Sequence, residues 1–165
     1  MWLRDRLPDE IPFVRSIIYG YDTALVGSDS VKGIEDIAIA FITKMKSIGR
    51  SSPSTKPLLM LAHSLGGIVL KQAIVLMART GGPTNTTLGS VRRIVFFGVP
   101  NVGMEISHLL PMVESQPNAP IVHSLSTSSD YPRSLDSQFS TITSHRGITI
   151  CSVYETKMSP TTQVF

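Results

Sequence analysis

Apolar and polar positions change period several times along the chain, and each change marks an element. "VRSIIYGYD" (Val14–Asp22) is a short apolar run ending at a Gly/Tyr/Asp corner, the pattern of a buried strand. In the following "SVKGIEDIAIAFITKMKSIG", Ile34, Ile37, Ala38, Phe41, Ile42 and Met45 recur at helical spacing. Ser30 is the predicted N-cap of that helix and Gly49 its stop. After the polar connection "GRSSPSTKP", Leu58–Ala62 ("LLMLA") is short and uniformly apolar, which predicts a central strand of a parallel sheet. Gly67–Arg79 returns to helical spacing at Ile68, Val69, Gln72, Ala73 and Leu76, and stops at Gly81-Gly82-Pro83.

Arg92–Pro100 ("RRIVFFGVP") is the next predicted strand, with a short helix around Glu105–Val113. The Pro/Ser-rich stretch from Pro117 to Ser144 reads as a connection, and Ile148–Thr156 ("ITICSVYET") as the last strand. Cys151 alternates with Ile150 in that strand, so a buried, inert thiol is expected. Strands alternating with helices predict an α/β sheet, mostly parallel, in one domain over residues 1–165. No internal repeat is present.

Composition narrows the function classes. The chain has 165 residues, 42% of them hydrophobic and 16% charged, which is ordinary for a folded domain. Net charge is only +3 and the cations are scattered, so nucleic-acid binding is disfavoured. One cysteine permits neither an intrachain disulfide nor a cysteine-based metal site, and the four histidines have no metal-ligand spacing. No cofactor and no metal are implied. The most apolar window, Leu58–Ala78, is interrupted by His63, a glycine pair, Lys71 and Gln72, a poor pattern for a transmembrane segment. The amino terminus lacks the apolar core of a signal peptide.

Candidate chemistry centres on "LAHSLGG". Ser64 lies between a predicted strand and a predicted helix, with Ala62 two positions before it and Gly66 two after. A nucleophile on a sharp strand-to-helix turn needs small residues there, because strand and helix backbones crowd. Gly67 adds further room. The backbone N–H of Leu65 would then face an oxyanion at the start of the helix. The competing reading of Ser64 is a small residue in a plain turn.

The stretches "MWLRDRLP", "IIYGYDT", "AHSLGGIVLKQA", "VFFGVPNVGM" and "SVYETK" together resemble the serine-active-site-containing lipase-like proteins and their fungal relatives. In fungi, this domain often precedes NACHT or repeat regions. The resemblance implies a partial α/β-hydrolase fold: a mostly parallel sheet flanked by helices, without the N-terminal strands and without the last strand. It implies acyl-ester hydrolysis through Ser64, with Glu155 as the acid, a lipid or acyl-ester substrate, and protein partners. By the same resemblance, localisation is mitochondrial, endoplasmic-reticular or cytoplasmic.

Glu155 is equally well read as a solvated carboxylate at a strand end. The fold's order is serine, acid, histidine, yet no histidine follows Glu155. His63 adjoins the serine and is expected to point away from it. His108 and His123 read as surface or helix residues. Asp136 with His145 would keep the order, but from one loop before the last strand. The family's oxyanion loop is expected ahead of "WLRD", on a strand between Val14–Tyr21 and Leu58–Ala62. Either those two strands close up, or the chain is a piece of a larger domain. Gly98, Pro100 and Gly103 either line a pocket or simply end a strand with a turn.

Two functions compete on these grounds: a serine esterase or lipase, and a catalytically inactive hydrolase-like interaction or signalling module. Nucleotide binding is disfavoured, because "AHSLGG" has neither GxGxxG spacing nor a Gly-Lys-Ser/Thr signature.

Overall fold

A computed structural model describes residues 5–22, 24, 31–47, 56–81 and 83–154. The elements follow the chain as α1 (Leu7–Glu10), α2 (Ile34–Ser47), β1 (Leu58–His63), α3 (Leu65–Thr80), α4 (Pro83–Ser90), β2 (Val91–Phe97), α5 (Leu110–Val113), α6 (Ala119–Ser124), α7 (Tyr131–His145) and β3 (Thr149–Val153). The three strands form one parallel sheet in the order β1-β2-β3, flanked by helices, as in an α/β protein.

The sheet register explains the core. Met60, Ile94 and Ile150 align across the strands, as do Ala62, Phe96 and Ser152. This face packs on α3, the central helix. Ile68, Ala73, Ile74, Val75 and Met77 of α3 are almost completely buried. A helix that is apolar nearly all round must be enclosed, and α2, α4 and α7 pack around it.

The amphipathic stripe of α2 is as expected: Ile34, Ile37, Ala38, Ile42 and Met45 are buried. Its proposed N-cap Ser30 and stop Gly49 lie outside the described residues. At the described start, the Gly33 N–H donates to Asp36 Oδ2 at 2.9 Å, a carboxylate satisfying a donor at the helix entrance.

Several expectations fail for physical reasons. Residues 14–22 form no strand, and Ile17 and Ile18 are exposed. Strand pairing needs a hydrogen-bonding neighbour, and β1 does not move over to supply one. Among the described residues, β1 pairs with β2 alone, so it is an edge strand and β2 is the central one. The stretch from Pro117 to Ser144 is not a mere connection, because it holds α6 and most of α7. Serines and threonines cover the outer surface of α7, masking the inward stripe of Leu135, Phe139 and Thr143. Helix α4 begins with Pro83, at the end of the breaker: proline ends a preceding helix but suits the first turn of a new one. Only Leu110–Val113 of the predicted 105–113 helix is helical. Cys151 is exposed rather than buried, because the second face of the sheet has no layer over it among the described residues.

Candidate functional site

The candidate site is built where β1 turns into α3. Strand β1 ends at His63, helix α3 starts at Leu65, and Ser64 alone makes the turn. Its backbone has φ 48° and ψ −126°, a left-handed conformation that a residue with a Cβ rarely adopts. Such a conformation costs roughly 1–3 kcal/mol and persists only where the surroundings enforce it. Here both sides are anchored. The Ser64 N–H donates to the Phe97 carbonyl of β2, and the Ser64 carbonyl accepts from the Gly67 N–H, each at 2.9 Å. The side chain makes no capping hydrogen bond to α3 and is partly exposed.

The clearance around this turn is unequal. A Cβ on Gly67 would lie 2.2 Å from Val99 Cγ2 and 2.8 Å from Val99 Cγ1, so glycine is required there by direct overlap. A Cβ on Gly66 would meet only the Tyr21 hydroxyl oxygen, at 3.7 Å, an ordinary contact. The crowding that the sequence assigns first to the position two after the serine therefore falls on the next one. Ala62 faces the sheet side that carries Phe96.

Leu65 is the first residue of α3. The N–H groups of a first helical turn have no intrahelical acceptor and carry the positive end of the helix dipole. Tyr21, which sequence reasoning missed, brings its hydroxyl against this turn beside Gly66. Burial, then the charge of Tyr19, raises the Tyr21 phenol above its ordinary range, so it stays protonated. The aromatic spacing in "IIYGYD" was the available signal.

The loop after β2 is the neighbouring wall. Gly98 N–H donates to the Val153 carbonyl at 2.9 Å, tying the loop to β3, and Val99 packs over Gly67. Gly103 has φ 89°, and a Cβ there would lie 2.6 Å from the Ser126 carbonyl oxygen. Gly98 and Gly103 therefore serve the turn itself. Pro100 accepts the Gly103 N–H through its carbonyl at 3.1 Å.

Glu155 lies outside the described residues. All four histidines are described, and none is hydrogen-bonded to Ser64. His63 is exposed and shares the open sheet face with Phe97. His108 precedes α5, and His123 is the basic residue in the last turn of α6. Asp136 and His145 do not form a pair: both belong to α7, nine residues or about 13 Å apart along the axis. The Asp136 carboxylate instead pairs with Lys71.

Among the described residues, no helix is long and apolar enough to cross a membrane. No cluster of three or more His, Cys, Asp or Glu side chains there could hold a metal ion.

Comparison with known proteins gives a partial match to Protein SERAC1 of Bos taurus, 29% identical over 110 residues. The match covers 66% of this chain and 16% of that protein's length. No family model matches the chain, and no solved structure matches it.

Proposed function

We propose that this chain carries the nucleophile region of a serine acyl hydrolase of the lipase-like, α/β-hydrolase type, acting on an acyl ester. Ser64 Oγ gives its proton to a base and attacks the acyl carbonyl, and the Leu65 N–H stabilises the tetrahedral oxyanion. Collapse of that oxyanion expels the protonated alcohol and leaves an acyl-serine that water then hydrolyses. Glu155 is the acid that would orient a histidine base. No histidine of this chain is assigned to that role.

The reading rests chiefly on the backbone at Ser64. A non-glycine residue held at positive φ, on a one-residue turn between a parallel strand and a helix, directs its hydroxyl away from capping duty. The partial likeness to Protein SERAC1 and the motifs from "AHSLGG" to "SVYETK" support a hydrolase ancestry. The test is labelling of the purified chain with a fluorophosphonate probe. Modification at Ser64, lost in Ser64→Ala, is expected. A chain left unlabelled under conditions that label a longer relative would overturn the proposal.

A second reading, a hydrolase-like module that binds protein partners without catalysis, is favoured by the positions of the histidines. Ester turnover that disappears in Ser64→Ala would sink it.

A further inference from the structure

Lys71 is the most buried charge in α3, and the proposed reaction does not use it. Its side chain is only 3% exposed, although α3 is otherwise almost wholly apolar on its inner surface. Burying an ammonium is costly unless strong partners compensate it. Lys71 Nζ has three kinds of partner. It pairs with the Asp136 carboxylate of α7 and donates to Asn101 Oδ1 at 2.6 Å. It also lies 5.1 Å from the ring centroids of both Phe96 in β2 and Phe139 in α7. The two rings meet edge to face, with centroids 5.6 Å apart.

Only one of these contacts leaves the regular elements. Asn101 belongs to the loop after β2, the same loop whose Val99 presses on Gly67 of the Ser64 turn. The Asn101 N–H also donates to the Val99 carbonyl at 2.9 Å, so the two residues are held as one tight turn. The chain of contacts therefore runs from the Lys71 ammonium to Asn101, to Val99 and to Gly67, whose N–H donates to the Ser64 carbonyl.

We propose that Lys71 is a positioning residue: through Asn101 it holds the Gly98–Met104 loop as the wall beside Ser64. The aromatic pair and Asp136 hold the ammonium in place, and Asn101 transmits that position to the loop. This inference rests on Ser64 being the reactive centre for its functional half, while its structural half stands separately. The Asp136 side chain is 40% exposed, so it can be resolvated when Lys71 is removed. Lys71→Met keeps an unbranched chain between the two rings and leaves no unpaired buried charge.

Hydrogen exchange read by mass spectrometry, on the purified chain and on Lys71→Met and Asn101→Ala, tests the structural half. Both variants are expected to exchange faster in the 98–104 segment, by about tenfold, the loss of one charge-assisted hydrogen bond. Protection across Ile68–Met77 should be unchanged. Unaltered exchange in the loop in both variants overturns the proposal. So does uniform loosening in Asn101→Ala, which keeps Lys71 and its other partners and would reveal an ordinary packing role.

The functional half is read from fluorophosphonate labelling of Ser64. The half-saturating probe concentration should rise in both variants while the maximal labelling rate is kept, because the serine turn itself is untouched. A loosened loop with both labelling constants unchanged overturns the link to Ser64. If the wild-type chain is not labelled, the nucleophile reading fails, and the exchange measurement still decides whether Lys71 holds the loop.

Discussion

At the scale of single residues, the turn between β1 and α3 combines a strained backbone with a steric demand, and the two can be separated. Ser64 has a Cβ at φ 48°. Ser64→Ala removes the hydroxyl but leaves the strain, whereas Ser64→Gly removes both. Glycine also loses more chain entropy on folding, which offsets part of the gain. Ser64→Gly should therefore be more stable than Ser64→Ala by about 1 kcal/mol in urea denaturation. Equal stabilities would show that the turn is relaxed. Gly67 makes the opposite test. Alanine there would overlap Val99 Cγ2, and valine has few rotamers in which to retreat. Gly67→Ala should cost about 1–3 kcal/mol, and adding Val99→Ala should recover most of it. Additive losses in that double-mutant cycle would exclude the overlap as the cause. The small residues after Ser64 were readable in the sequence. Which glycine is indispensable was not, because that depends on Val99, which lies 32 residues further along the chain (99 − 67).

At the scale of elements, α3 is held by helices whose signals differ in strength. The apolar repeat of α2 is legible without a structure, since the whole stripe is apolar. Helix α7 hides its stripe among serines and threonines, but its cues were present: Pro132 in the first turn, Leu135 and Phe139 one turn apart, and Gly147 after the end. Its first residue, Tyr131, donates its hydroxyl to Gln72 Oε1 of α3 at 3.1 Å. Burial first, and the charge of Glu35 second, push the Tyr131 phenol up to about 12 from 10.0. A raised phenol means that the folded state holds its proton more tightly than the unfolded state does. The associated stability is intact below pH 10 and declines as pH rises from 10.0 to about 12. Denaturation at pH 9 and pH 11 should show this loss in the wild type and a smaller one in Tyr131→Phe. The same pH dependence in both would assign the effect to other groups. The run Val14–Asp22 misled because β-propensity describes a fit to a neighbouring strand, and among the described residues no such neighbour lies beside it.

At the scale of the whole molecule, the decisive asymmetry is between the two faces of the sheet. One face is sealed by α3. The other aligns Leu59 with Arg93 and Thr149, Leu61 with Val95 and Cys151, and His63 with Phe97 and Val153. Leu59 is 53% exposed, Leu61 47% and Val153 47%, so this face is apolar and open among the described residues. Parallel sheets are ordinarily covered on both faces, and that is why a uniformly apolar "LLMLA" reads as a buried, central strand. The sequence records the hydrophobicity of both faces but not whether a layer lies over each. Among the described residues, strand β1 also has an open edge, a feature that readily pairs with another chain. A net charge of +3 supplies little repulsion against such association. The purified chain is therefore expected to self-associate as concentration rises and to bind a hydrophobic dye at neutral pH. Sedimentation velocity across a concentration series checks the first, and dye fluorescence the second. Leu59→Lys and Leu61→Lys should reduce both, with stability changed by no more than about 0.5 kcal/mol, because each replaces a half-exposed side chain away from the sealed core. A wild-type chain that stays monomeric and dark to the dye would mean that this face is covered. Large destabilisation by either lysine would mean that Leu59 and Leu61 are packed beneath a covering layer.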